Sequence, residues 1–331
     1  MPRIEHKRFP SREILWLDDK TAKKDLSGKT YIVTGANSGV GLETTRHLVQ
    51  QGAHVIMACR RTNAGEEVAK SFGATKGSYE VMKLDLADLQ SVRDFVAGLL
   101  GKYDRLDGIA CNAGMVNMGG SEPAYTKDGI ELTIGISYFG HFLLTELLLD
   151  MLKKSAPARV VILSSVVHAG NPNSRPDVNL GDINFKNRDY SPFGAYAEAK
   201  VATNLYAMEL GERLKDAGVS AFSVHPGWAR SNFGSGARFP MNVLLSITRP
   251  LTRTMSDSSE ESAQTSLHCL LSDDAPNHSG AYFSQSSVLY RDPGTRNGGW
   301  PMESPNPHAK NMDTAKKLVD LSCEMVGLQA E

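Results

Sequence analysis

Residues 26–61 read LSGKTYIVTGANSGVGLETTRHLVQQGAHVIMACRR. Thr30–Thr34 is a β-rich run that enters a turn holding Gly35, Gly39 and Gly41. A helical pattern follows from about Gly39 to Gln51, Gly52 ends it, and His54–Ala58 is a second apolar run. Strand, glycine turn, helix and strand make a βαβ unit. Glycine permits the tight turn, lets a pyrophosphate approach the backbone and lets helix pack on strand. The helix N-terminus behind the turn offers amide donors and a positive dipole end. The spacing departs from GxGxxG, so placement after the first strand carries the expectation of a dinucleotide site.

The alternation continues outward. Helices over Ala64–Phe72 and about Asp88–Gly101 alternate with strands at Tyr79–Leu84 and Asp107–Cys111. A long helix over about Lys127–Lys154 precedes a strand at Arg159–Ser164, and a helix from about Ala195 to Lys215 precedes a strand at Val219–His225. Strands alternating with helices imply parallel crossovers. The expected fold is α/β: a single-domain, Rossmann-type, doubly wound parallel sheet with helices on both faces. Residues 1–25 read as a polar lead-in and 26–331 as one domain. A lid insertion is expected at about 228–260, carrying the apolar stretch MNVLLSI. Beyond it, Arg291–Lys310 is rich in Pro and Gly and precedes a last helix over about Asp313–Val326.

The 36 basic and 37 acidic residues of the 331 nearly cancel, so no global field favours nucleic acid. Cys59, Cys111, Cys269 and Cys323 form no CxxC pair, which suits reduced thiols in a cytoplasmic protein. No run reaches the roughly 18 consecutive apolar residues expected of a bilayer span, and the first 20 residues lack the apolar core of a signal peptide. The histidines show no HExxH or comparable spacing, so no metal is expected. His168, after the fifth strand, is expected in a loop, and His268-Cys269 in a core helix.

Arg60 and Arg61 follow the second strand, where such units present a group to the adenosine ribose. Guanidinium binds a 2′-phosphate through charge-assisted hydrogen bonds that a carboxylate would oppose, so NADP(H) is expected over NAD(H). Tyr196 and Lys200 lie four residues apart on one helix face. A free tyrosine has a pKa of about 10, and both a nearby ammonium and a positively charged oxidised nicotinamide favour the phenolate. The pair is therefore expected to exchange a proton with an alcohol or carbonyl while the cofactor exchanges hydride. Ser164-Ser165 closes a strand at the carboxyl edge of the sheet, where a hydroxyl would meet the carbonyl oxygen.

In combination these residues resemble the short-chain dehydrogenase/reductase family across about Leu26–Leu328. The matches are Thr34-Gly-Ala-Asn-Ser-Gly-Val-Gly41, Asn112-Ala-Gly114, Ser165, Tyr196-Ala-Glu-Ala-Lys200 and Pro226-Gly227. The resemblance implies a phosphate turn of Gly35, Asn37, Ser38, Gly39, Val40 and Gly41. It places Asp85 and Leu86 near the adenine, and Asn112, Ala113 and Gly114 along the cofactor groove. Pro226, Gly227 and Ser231 would border the nicotinamide. Tyr196 would be the acid/base, Ser165 would orient the substrate, and Lys200 would hold the nicotinamide ribose and tune Tyr196.

Within the family, Ala263–Cys269, Ser279-Gly280 with Tyr282-Phe283, and Ser322–Leu328 look like the retinol dehydrogenase branch. The neighbouring protochlorophyllide reductases carry an active-site cysteine two residues after the lysine, where this chain has Ala202. The family's fourth catalytic residue, an asparagine before Gly-His-Phe, is Ser137 here. Its hydroxyl is expected to bond back to the Thr133 carbonyl and bend the helix. The implied substrate is a lipophilic secondary or allylic alcohol, or its ketone or aldehyde. Carbon–carbon double-bond reduction and non-catalytic cofactor sensing are the alternatives. Relatives commonly pair through their two long helices, so a homodimer or homotetramer is a further expectation.

Overall fold

The computed structural model describes residues 2–6, 9–229 and 256–329. Its main sheet has eight strands. In chain order these are β3 (Thr30–Thr34), β4 (His54–Cys59), β5 (Ser78–Lys83), β6 (Gly108–Cys111), β7 (Ala158–Leu163), β8 (Val219–His225), β9 (Tyr282–Ser284) and β10 (Gly299–Met302). The spatial order is β10-β9-β8-β7-β6-β3-β4-β5, parallel throughout except for β10. The strands at the centre are buried almost residue by residue, as parallel strands covered on both faces must be. The order reverses at β3, with β4 on one side and β6 on the other. A crevice opens at that switch point beyond the carboxyl ends of β3 and β6.

The crossover helices follow the expected alternation. They are α2 (Gly39–Gln50), α3 (Thr62–Ala69), α4 (Leu89–Leu100), α5 (Leu132–Ile134) running on into α6 (Gly140–Lys154), and α7 (Pro192–Arg213). Between α5 and α6, Gly135–Phe139 is a π-helical turn. The long helix starts at Leu132 rather than about Lys127, because Gly129 takes a left-handed φ of 77° and Glu131 caps the first turn. Leu132–Lys154 has the length and apolarity to cross a membrane, but 78% of its most apolar window is buried against the sheet and its neighbouring helices. It is a core helix. On the opposite face, α8 (Ser259–Leu271) packs on α2. It is opened by a capping box between Ser258 and Glu261.

Both ends of the chain are more structured than their composition suggests. The expected polar lead-in contains an antiparallel hairpin, β1 (Arg3–His6) with β2 (Phe9–Leu15), then a one-turn helix α1 (Asp19–Ala22). The hairpin is fixed from 270 residues away: Leu15 N donates to Gln285 Oε1 at 2.7 Å, and Gln285 Nε2 donates to Leu15 O at 2.8 Å. Ile14, Leu15 and Leu17 are buried. The Pro- and Gly-rich stretch after Arg291 supplies β10 and leads into α9 (Met312–Val326). Helix α9 lies along α7 and buries Ala315, Leu318, Cys323 and Val326. Ser322 Oγ on α9 meets Tyr138 Oη at 2.8 Å. Part of the helical face expected to pair with a second copy is thus covered by the chain's own last helix.

Only the ends of the expected lid are described. Asp257 N donates to Trp228 O at 2.8 Å, and Ala229 and Asp257 form a parallel bridge, so the segment leaves and returns at one place. Residues 230–255, with Ser231 and MNVLLSI, lie outside the described residues.

Candidate active site

The floor of the crevice is built around Thr34, the last residue of β3. Thr34 Oγ1 accepts the backbone N–H groups of Asn112 and Ala113, both at 2.9 Å. Its own proton is then directed to His141 Nε2 at 2.8 Å. Asn112 Nδ2 donates to Thr34 O at 2.9 Å, which ties the groove strand β6 to the phosphate turn. In the turn, Gly35 and Gly39 take positive φ values of 65° and 58°. Gly41 is required by space: a Cβ there would lie 2.4 Å from Asn112 Nδ2 and 2.6 Å from Gly35 O.

These residues fit a dinucleotide. Ser38, the N-cap of α2, makes no side-chain bond to the first turn, so the amides there remain for an anion. Asn112 Oδ1 is buried without a partner. Cys59, at the end of β4, lies under the turn and accepts the amides of Ala36 and Asn37; burial pushes its thiol up to about 11. Val40 is buried behind the same turn.

Arg60 and Arg61 are both exposed just beyond β4, with Arg61 capping α3. Asp85 turns the chain after β5, its carboxylate accepting from Ala87 N at 3.1 Å. Leu86 is buried against Gly140, where a Cβ would meet Leu86 O at 2.6 Å. Gly227 takes a φ of 91°, and a Cβ there would lie 2.2 Å from Asp257 Oδ2. The buried Pro226-Gly227 step therefore brings the chain close under the returning end of the 228–260 segment.

The reaction centre lies at the carboxyl end of β7. Ser165 caps a one-turn 3-10 helix, Val166–Ala169, its hydroxyl accepting from Val167 N at 3.4 Å, and lies beside the Tyr196 hydroxyl on α7. Lys200, one turn on, is buried, and its Nζ donates to Leu163 O at 2.6 Å. The ammonium lies 5.4 Å from the Tyr196 ring centroid. Burial pushes the Tyr196 hydroxyl up to about 12, with the Ser165 hydroxyl acting in the opposite direction. Burial takes Lys200 down to about 7. Desolvation dominates both shifts, whereas the sequence expectation of a phenolate invokes the ammonium together with a positively charged oxidised nicotinamide.

Ser137 requires a correction. It lies within the π-helical turn, and its buried hydroxyl has no partner, so it does not bond back to Thr133. The irregular helix comes from the backbone register. A Cβ added to Gly114 would lie 3.5 Å from Ser137 Oγ and 3.6 Å from Lys200 Nζ. The hydroxyl and the ammonium thus face the same small volume beside Gly114.

The histidines sort clearly. His168 is wholly buried, with both ring nitrogens bonded, rather than a loop residue. His225 ends β8, and His268 stacks on Trp300 with centroids 4.5 Å apart. All four cysteines are free and buried. Sequence reading assigned no role to Thr34, Cys59, Gly140 or His141. Of these, Thr34 lies within the quoted glycine motif and Gly140 and His141 within Gly-His-Phe, while Cys59 gave no signal.

The family model described as short chain dehydrogenase matches residues 29–175. Human retinol dehydrogenase 11 is 38% identical over 314 residues, covering 93% of this chain and 89% of that protein. Bovine retinol dehydrogenase 12 is 38% identical, over 92% of this chain and 89% of that protein. Among solved structures, an uncharacterized protein from Mycobacterium paratuberculosis superposes with a TM-score of 0.71 at 31% identity, covering 92% of this chain and 96% of that one. The RhlG/NADP complex of Pseudomonas aeruginosa, at 20% identity and a TM-score of 0.63 over 81% of this chain and 98% of that one, shares the fold. The chain belongs to the short-chain dehydrogenase/reductase family, in its retinol dehydrogenase-like branch, and is an NAD(P)-dependent oxidoreductase.

Proposed function

We propose that this protein interconverts a lipophilic secondary or allylic alcohol and its carbonyl compound, uses NADP(H) in preference to NAD(H), and employs Tyr196 as the general acid/base. The observation that carries the reading is the convergence of Ser165 and Tyr196 beside the buried Lys200, at the carboxyl edge of the sheet. The nicotinamide supplies or accepts the hydride. Ser165 Oγ–H donates to the substrate oxygen and orients it, while Tyr196 Oη gives up its proton as a carbonyl is reduced. Burial favours the protonated Tyr196 hydroxyl, the form that can donate a proton as a carbonyl is reduced. Removing the proton in the oxidative direction requires positive charge near the ring, which Lys200 supplies in its ammonium form.

The preference for NADP(H) rests on Arg60 and Arg61, exposed beyond β4 where the adenosine ribose is expected. Replacing both with Ala should weaken NADPH binding by about 1.5–3 kcal/mol through loss of charge-assisted contact. NADPH affinity should fall at least about tenfold, with NADH affinity nearly unchanged. Titration of cofactor fluorescence against wild type and the double variant checks this. Wild-type protein that binds NADH more tightly than NADPH would overturn the cofactor assignment.

A further inference from the structure

The peptide that joins Ser165 to Val166 is held at both of its polar ends by buried histidines. On one side, Ser165 O accepts from His168 Nδ1 at 2.5 Å and from His168 N at 3.1 Å. On the other side, Val166 N donates to His225 Nδ1 at 3.2 Å. His168 and His225 are 0% and 2% exposed, so water does not substitute for either contact.

The chemistry of the partners fixes the tautomers. A carbonyl oxygen only accepts, so His168 carries a proton on Nδ1. Its Nε2 then accepts from Ser304 Oγ, 2.9 Å away. A backbone N–H only donates, so His225 Nδ1 is unprotonated. Two neutral imidazoles of opposite tautomer therefore grip one peptide plane.

Both rings are themselves seated. His168 packs edge-on against Tyr282 at 4.8 Å between centroids, and His225 against Tyr290 at 5.9 Å. The two tyrosine hydroxyls share a hydrogen bond of 2.6 Å. The C-terminal segment completes the seat for His168. Asn306 Nδ2 donates to His168 O at 2.6 Å and to Pro176 O at 2.8 Å, and Asn306 N donates to Ser304 Oγ at 3.2 Å.

We propose that His168 and His225 are positioning residues that clamp the Ser165–Val166 peptide in opposite tautomers and so hold the Ser165 hydroxyl beside Tyr196, with Ser304 and Asn306 seating the His168 ring. Ser165 is the hinge between β7 and the 3-10 turn, and one rotation of its peptide would swing the hydroxyl off the substrate oxygen. A misplacement of about 1 Å at a reacting centre costs on the order of a hundredfold in rate. The otherwise irregular C-terminal stretch thereby acquires a role in catalysis without touching the substrate.

The inference rests on Ser165 and Tyr196 being the reacting hydroxyls, so its test runs in two backgrounds. In the wild-type background, His168→Phe keeps a ring against Tyr282 but loses both polar contacts. Its kcat should fall at least about tenfold, with KM and NADPH affinity within about twofold. His168→Asn, which can place an amide N–H near the Nδ1 position, should recover most of that loss. In a Ser165→Ala background, His168→Phe should cost nothing further, because there is no hydroxyl left to aim.

Unchanged kcat in His168→Phe, no recovery in His168→Asn, or a full additional loss in the Ser165→Ala background would each overturn the clamp. Ser304→Ala keeps the imidazole and serves if His168→Phe does not fold. It should lower kcat with the melting temperature held, and an unaltered kcat there would equally contradict the proposal. Wild-type turnover in Ser165→Ala and Tyr196→Phe would instead overturn the reading of the site itself, and the clamp with it.

Discussion

Ser137 shows how a single side chain can be legible as a position and illegible as an interaction. Its place before Gly-His-Phe marks it in the sequence, but the π register of Gly135–Phe139 decides what its hydroxyl meets. That register depends on how the helix packs, on Gly140 against Leu86 and on His141 against Thr34, and neither contact can be read from GISYFGHF. The hydroxyl is buried, unpartnered and turned to the volume that Lys200 also faces. A buried hydroxyl without a partner costs about 1–3 kcal/mol. Ser137→Ala should therefore hold or raise the melting temperature while lowering turnover at least about tenfold, if the hydroxyl passes protons between Lys200 and solvent. Parallel melting and turnover assays check this. A raised melting temperature with wild-type turnover would remove Ser137 from the proton path. Tyr196, Lys200 and Ser165 were legible for a simpler reason: four-residue spacing on a helix and the end of an apolar strand are local signals.

At the scale of elements, the first βαβ unit was readable nearly to the residue, since glycine, apolar runs and helix pattern all agree over one short stretch. Strand β8 coincides with the expected Val219–His225. Strands β9 and β10 escaped notice because they are three and four residues long, and their pairing is fixed by β8 and by each other rather than by their own composition. The N-terminal hairpin escaped for the same reason, being fixed by Gln285. The junction of β3, α2 and β6 yields a direct test. Gly41→Ala would push a methyl group onto Asn112 Nδ2 and the Gly35 carbonyl, at 2.4 and 2.6 Å. Neither neighbour is the free end of a flexible chain, since Asn112 is held to Thr34 O. NADPH affinity should fall at least about tenfold, a loss of about 1.4 kcal/mol, and the melting temperature of the cofactor-free protein should also drop. Calorimetric titration and thermal melting measure both. Full affinity in a folded Gly41→Ala variant would show that Asn112 does not shape the nucleotide groove.

For the molecule as a whole, the site is held in tension with stability. Lys200 ordinarily titrates near 10.5, but burial in the fold brings it to about 7. Between those values the unfolded chain binds a proton that the native protein does not, so this residue makes stability rise as pH rises through that window. Lys200→Met removes the dependence. The difference in melting temperature between cofactor-free wild type and Lys200→Met should therefore shift toward wild type as pH is raised from about 7 to about 9, by at most about 1.4 kcal/mol per pH unit. Parallel melting curves across that range would contradict the burial argument. The same burial that makes Lys200 costly places it beside the Tyr196 ring, and Ser304 and Asn306 of the C-terminal segment bond to His168 next to Ser165. The account stands most directly on one measurement: NADPH consumption with a panel of lipophilic aldehydes and ketones, by wild type and by Tyr196→Phe. The expected result is turnover by wild type and at least about a hundredfold loss in the variant, in line with general acid–base catalysis, with NADPH affinity unchanged. Near wild-type turnover by Tyr196→Phe, or no carbonyl-dependent consumption by the wild-type protein, would contradict it.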